Sequence, residues 1–233
     1  MTQPECLLAL DSAGAACSAA LWRAGQVEAA RFEVMGRGQS ERLVPMIEEV
    51  MAAAGGGYEQ LDALAVTRGP GGFTGVRIGL ATARGLALAL GKPVIGLTSF
   101  EAVAAGVGAE SRQGRPLAVL LDGKRREAYL QVFDAELLPL GPPACVAPED
   151  LIAALPAEPL LLAGDGAASA EGLAARRDIT RLEAVRHAEA ARFAGLAAAR
   201  GLPVPGAAAP TPLYLRPADV TPPRRRSAGL PTP

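Results

Sequence analysis

Aromatic rings are scarce in this chain, five Phe, three Tyr and one Trp among 233 residues. A sizeable core therefore has to be assembled from Ala, Val, Leu and Ile packed closely, which suits helices laid on a sheet. Histidine is scarcer still. His187 is the only one, so a histidine-based metal site is excluded and a Ser-His-Asp triad would rest on this single residue, in an Ala-rich stretch expected to be helical. Cys6, Cys17 and Cys145 form no CxxC pair and leave an odd count, which argues against a disulfide framework and a zinc ribbon. Long apolar runs are missing because Arg77 and Arg84 break the best candidate, and the opening MTQPECLLALD has neither a basic n-region nor a long apolar one. The expectation is a cytoplasmic protein with no membrane association. Excess charge is missing too. With 23 basic and 24 acidic residues the net charge is −1, no footprint for gripping nucleic acid, and the local run Arg224-Arg225-Arg226 reads as a solvated tail.

What is present is a regular alternation of short apolar runs and turns. LLALD (7–11), ACSAALWR (16–23) and QVEAARFEV (26–34) read as three strands joined by small turns. SERLVPMIEEVMAAAGG (40–56) follows with helical spacing, Ser40 as candidate N-cap and Gly55 as stop; Pro45 requires a start nearer Val44 or a kink. Strand LDALAVTRG (61–69), a helix over about 74–90 and strand KPVIGLTS (92–99) complete βββαβαβ. PLAVLLDGKRREAYLQVFD (116–134) then restarts the layout, an apolar strand ending in Asp at a turn, so VLLD-GKR repeats LLALD-SAG and a duplicated unit is expected. LLLAGDGA (160–167) reads as strand and turn, and HAEAARFAGLAAARG (187–201) as a helix. Residues 203–233 hold nine of the twenty prolines, which rules out a regular helix there; PTPLYLRP (210–217) is the part expected to dock.

Two features carry candidate chemistry. The turn TRGPGGFTG runs straight into an apolar helix, the setting in which proteins often hold phosphate. No lysine occurs between residues 67 and 91, so a Walker A loop is excluded, and G-x-G-x-x-G fails because position 74 is Thr. Either the turn still cradles an anion, or Gly71, Gly72 and Gly75, entered through Pro70, permit a tight backbone turn and close packing. The second feature is Asp11, Asp122 and Asp165, each ending an apolar strand at a turn. Three aspartates could hold hydrated Mg²⁺, while Asp also favours turns for its own sake.

The helix after the glycine turn carries Val76, Gly79, Leu80, Ala83, Leu86, Ala87 and Leu90 on one stripe, with apolar character nearly all round. Such a helix calls for cover on two sides. Together with Leu43, Met46, Ile47, Val50 and Met51 of the preceding helix it reads either as ordinary core packing or as a two-helix docking face.

The combination LLALDSAGAACSAALW, SERLVPMI, TRGPGGFTGVRIGLATARGLALALGKPVIGLTS, LLDGKRREAY, GDG at 164–166 and PLYLR resembles the bacterial TsaB (YeaZ) family along nearly the whole chain. The resemblance implies an α/β, two-lobed actin/Hsp70-like (ASKHA) fold of duplicated βββαβαβα units, related to TsaD and to Gcp-type (M22) proteins. Lobes are expected at 1–105, joined by part of 205–220, and at 106–204, with a flexible Pro-rich tail at 218–233. It also implies a role in attaching threonylcarbamoyl to the adenosine 3′ of the anticodon in tRNAs reading codons that begin with A. TsaD carries the metal-holding histidines in that scheme, and this chain is a non-catalytic partner. On that reading Leu43, Met46, Ile47, Val50, Val76, Gly79, Leu80, Ala83 and Leu86 bury against TsaD, or against a second copy when the chain is alone. Pro70, Gly71, Gly72 and Gly75 shape the docking helix, and Asp11, Asp122 and Asp165 are vestigial nucleotide contacts. ATP or ADP, metal, the TsaE ATPase and tRNA belong to the complex, and no cofactor to this chain. The rivals are an ATP-dependent phosphotransferase using Asp11 and Asp122, and a Gcp-type protease. The sequence departs from the family pattern at Gln39, Gly72, Gly123 and Arg126, the last two in the Asp122 hairpin, where a nucleotide contact is thereby put in doubt.

Overall fold

Strand β1 (Cys6–Asp11), CLLALD, is buried at all six positions, as a strand must be when it has neighbours on both edges and layers on both faces. In a computed structural model that describes residues 2–123, 126–166, 173, 176 and 178–216, β1 is the middle of a five-stranded sheet. β2 (Ala16–Arg23) pairs antiparallel with β1, and β3 (Gln26–Val34) antiparallel with β2. The β2–β3 hairpin closes over Ala24 and Gly25, both with positive φ, the geometry a two-residue turn between twisted strands demands. β4 (Ala63–Thr67) and β5 (Val94–Leu97) add in parallel, giving the order β3-β2-β1-β4-β5.

The second sheet repeats that order. β6 (Leu117–Asp122) pairs antiparallel with β7 (Ala128–Phe133), β7 antiparallel with β8 (Ala144–Val146), and β6 and β9 (Leu160–Ala163) run parallel, as do β9 and β10 (Ile179–Arg181). Written from its antiparallel edge the sheet is β8-β7-β6-β9-β10, matching the first strand for strand. The duplication expected from LLALD and VLLD is therefore real, and it is the two-lobed plan of the actin/Hsp70-like class.

Helices α1 (Gln39–Ala54) and α2 (Phe73–Leu90) lie side by side on one face of the first sheet. α1 starts after Gly38, not Ser40, and runs through Pro45, which is exposed; Gly55 ends it in the left-handed conformation, as anticipated. Between the sheets sit α3 (Ser99–Ala104) and α6 (Ala190–Arg200). α3 packs on β6, while α6 packs on β1, β2 and β3, although chain order puts α6 with the second lobe. One core consequently spans both lobes, with Leu7, Phe100, Val119, Phe133 and Phe193 in a single cluster. Two short helices, α4 (Ala109–Arg112) and α5 (Leu151–Ala154), fill connections. Residues 203–216 form no helix or strand; they turn at Pro205 and Gly206 and then pass Arg84 and Arg77 of α2. The expected tail 218–233 and its arginine run lie outside the described residues.

Candidate functional site

The duplicated strands β1 and β6 both end in aspartate, and because the lobes face each other, Asp11 and Asp122 line one cleft, joined by Asp165 from the turn after β9. Pro70, Gly71 and Gly72 also line it, as do Ser99, Arg186 and His187. Asp11 is fully buried. Its Oδ1 accepts from the Thr67 hydroxyl and from the Ala13 N–H at 3.3 Å, yet burial, helped by the nearby Asp165 carboxylate, pushes its pKa from 3.8 to about 6. Asp165 accepts from the Asp122 N–H at 2.9 Å, and its other oxygen lies 3.9 Å from Nδ1 of His187. His187 sits in the loop before α6, not on the helix as its Ala-rich surroundings had suggested.

The cleft is nearly shut. Its cavity is about 30 Å³, space for roughly one water molecule, far below the few hundred Å³ that a nucleotide-sized ligand takes up. Three aspartates do meet there, but among the described residues no group of three or more His, Cys, Asp or Glu side chains is placed to hold a metal ion. Ser99 shares the cleft with His187, and its buried Oγ has no hydrogen-bond partner. No base activates it, so the geometry of a nucleophilic triad is missing.

The glycine turn closes the cleft from the first lobe. The Gly72 N–H donates to Ala13 O at 2.8 Å, so this amide serves packing and not an anion. A Cβ on Gly71 would lie 2.3 Å from the Ala13 carbonyl oxygen, and one on Gly75 would lie 2.2 Å from that of Ser12; α2 can approach the β1–β2 turn this closely only because both are glycine. Pro70 follows a cis peptide bond. Thr67 and Ser99 were not singled out in the sequence. Their only signal was a polar residue at the end of an apolar strand and at the start of a helix, which many turns share.

The proposed docking stripe has a different fate. Leu43, Met46, Ile47 and Val50 of α1, and Val76, Gly79, Leu80 and Ala83 of α2, are buried under the chain's own sheet, and Leu86 is partly buried. The expectation that these residues are exposed on the single chain does not hold. A 3.6-residue apolar stripe is the face a helix turns toward its own core, and the first sheet supplies that core. What α1 and α2 leave to solvent is the opposite side: Val44 is 49% exposed, Phe73 47% and Leu88 86%, among Ala81, Arg77 and Arg84. α2 is also the one helix among the described residues long and apolar enough to cross a membrane; its inner stripe is taken up by the sheet.

The family described as "TsaD: tRNA N6-adenosine threonylcarbamoyltransferase" matches residues 33–200. A crystal structure of an uncharacterized Pseudomonas aeruginosa protein with similarity to peptidase YEAZ superposes with a TM-score of 0.74 at 32% identity, covering 93% of this chain and 100% of that one. The chain belongs to the TsaB (YeaZ) family of TsaD-like proteins. The "tRNA threonylcarbamoyladenosine biosynthesis protein TsaB" of Escherichia coli is 41% identical over 123 residues, 53% of this chain and 52% of that protein. A "tRNA N6-adenosine threonylcarbamoyltransferase" of Erythrobacter litoralis is 46% identical over 90 residues, 38% and 26% of the respective lengths. The chain thus spans about half the length of the curated TsaB relatives it matches. For a TsaB-family chain the nearly closed cleft and the two-faced helices are the features a function has to explain.

Proposed function

We propose that this chain is a non-catalytic subunit of the assembly that attaches a threonylcarbamoyl group to the adenosine 3′ of the anticodon in tRNAs reading codons that begin with A, and that it works by docking on TsaD and activating it. The observation that carries the reading is the outer side of α1 and α2, where Val44, Phe73 and Leu88 stay exposed among Arg77 and Arg84. The pocket where Asp11, Asp122 and Asp165 meet is small, about 30 Å³, and the room that chemistry on a nucleotide needs is left to the partner. Metal, ATP or ADP and the TsaE ATPase enter with the other subunits, and tRNA is held by the complex as a whole.

Docking uses the outer side of α1 and α2 in place of the buried stripe. That side is complementary to itself: α2 carries Arg77 and Arg84 and no acidic residue, while α1 exposes Glu41 and Glu48, its Glu49 being paired with Arg31 and Arg42 of the same chain. A two-fold axis would lay the basic helix of one copy on the acidic helix of the other, so the chain alone pairs as a homodimer. A duplicated relative such as TsaD can offer a similar helix pair.

The test mixes the purified chain with TsaD and follows complex size, mass and threonylcarbamoyl transfer. Association is expected for the wild type and loss of it for Leu88→Glu and Val44→Glu; association unaffected by both would remove the outer face from the reading. The convergence of Asp11, Asp122 and Asp165 in one cleft favours a second reading, a phosphotransferase of the same fold class. Titration of the isolated chain with ATP and Mg²⁺ separates the two, the scaffold requiring no binding there at millimolar nucleotide.

A further inference from the structure

The segment 210–216, which follows the last helix, has no secondary structure of its own, yet it is tied down residue by residue on both lobes. Its contact with the first lobe begins at Pro210, whose carbonyl accepts from the Arg84 guanidinium and whose ring lies against Gly96 of β5. The Leu213 N–H then donates to the Arg68 carbonyl at 2.7 Å. Tyr214 stacks on Phe73 with ring centroids 5.6 Å apart, and its hydroxyl accepts from Arg77 Nε at 3.1 Å, while the Arg77 guanidinium covers Phe73 at 3.7 Å. Two residues on, the chain has crossed to the second lobe. Arg216 pairs with Glu127, donates to the Gly123 carbonyl at 3.3 Å and lies over the Tyr129 ring at 5.6 Å.

The seat for this segment is built into the sheet beneath it. A Cβ on Gly96 would stand 2.7 Å from Cβ of Pro210, so the strand has a notch where the strap passes. Contacts that arrive separately from a strand edge, a helix and the opposite lobe are not those of a chain end resting where it falls.

We propose that residues 210–216 are a clasp whose Tyr214, with Phe73 and Arg77, forms part of the surface that the partner protein reads. This rests on the docking function above and adds a third element to the two helices. Tyr214 remains 44% exposed and Phe73 47%, so the stacked pair is both anchored and offered, a rigid aromatic platform of the kind that dominates protein interfaces. The cations beside it, Arg77 and Arg84, stand on a helix without acidic residues. The matching partner surface is apolar at its centre with carboxylates at its rim. Because Arg216 holds the same segment to the Asp122 hairpin, the clasp also fixes the spacing of the lobes while the platform is engaged.

The experiment measures affinity for TsaD calorimetrically for the wild-type chain, Tyr214→Ala, Tyr214→Phe and Gly96→Ala, with amide exchange at Leu213 reporting whether the clasp is seated. Gly96→Ala drives the strap off its notch without touching α2; Tyr214→Phe keeps the stack and removes the hydroxyl. Weakening by roughly ten-fold is expected for Tyr214→Ala and Gly96→Ala, with faster Leu213 exchange in the latter and a smaller loss for Tyr214→Phe. Wild-type association undiminished in the folded Ala variants overturns the clasp alone. A wild-type chain that fails to bind TsaD removes the docking function and the clasp with it. Should Tyr214→Ala not fold, Gly96→Ala decides.

Discussion

The two lobes share a strand order and differ in what covers them. The first sheet carries helices of 16 and 18 residues on its outer face; among the described residues the second is flanked on the corresponding side by the four-residue α5. The two first-lobe helices are amphipathic in an uneven way: α1 and α2 bury most of one stripe and still expose Val44, Phe73 and Leu88 on the other side. Duplication supplied the frame, and the long helices of the first copy are where the docking function is proposed.

The sharpest way to break this comparison is to place the same charge on the two sides of α2. Val76 is buried in the same core cluster as Leu8 and Leu64, so Val76→Glu should cost more than about 4 kcal/mol and give an unfolded or aggregating chain, because a carboxylate there has neither water nor a partner. Leu88→Glu should leave the unfolding midpoint almost unmoved, within about 0.5 kcal/mol, while abolishing association. Circular dichroism melts paired with gel filtration distinguish the outcomes, and equal destabilisation by both changes would deny that α2 has an inner and an outer face.

A second change asks whether the lobes are separate units. Phe193 of α6 is fully buried in the cluster that joins the two sheets. Phe193→Ala should cost about 3–5 kcal/mol, from lost transfer energy and the cavity left behind. If the core is shared, fluorescence of Trp22 on the first sheet and amide exchange on β6 and β9 should report one common transition. Two transitions would show that α6 merely touches the first lobe.

The sequence was most legible where local chemistry decides. β2 and β3 were read with their observed bounds because the turn between them, Ala24-Gly25, is a local event, and β1, β6 and their terminal aspartates followed from the same short-range logic. The N-cap of α1 was misread at Ser40 because Gly38 takes that role through backbone conformation alone, φ 97°, with no capping side chain. The docking face was misread for a deeper reason. A periodic stripe establishes that a helix is covered, not by what, and here the cover is β1, β2 and β4 of the same chain. The cleft was half legible: each aspartate could be found at a strand end, while Thr67 reaches it through Asp11, 56 residues back in the chain, and Ser99 and His187 join it only through the folding of separate elements onto one another. Tyr214, 137 residues from the Arg77 that it meets, had no signal beyond PLYLR looking able to dock.

The smallest effect expected comes from Asp11, the first-lobe counterpart of Asp122 on β6. Asp11 titrates at about 6 in the folded chain against 3.8 for an ordinary Asp, so between those values the folded state binds the proton more tightly than the unfolded one. That contribution is fully present below about pH 4 and is lost as pH rises through about 6. Asn keeps a carbonyl for the Thr67 and Ala13 donors and carries no charge at any pH. Asp11→Asn should therefore match the wild type near pH 4 and exceed its stability by up to about 3 kcal/mol near pH 8, the ceiling set by the displacement of the carboxyl. Urea unfolding of the two proteins across that range measures the difference directly, and comparing variants at one pH cancels the other carboxylates. A gap that widens toward acid would mean that Asp11 is stabilised as the anion, with Arg186 or His187 of the same cleft supplying the counter-charge.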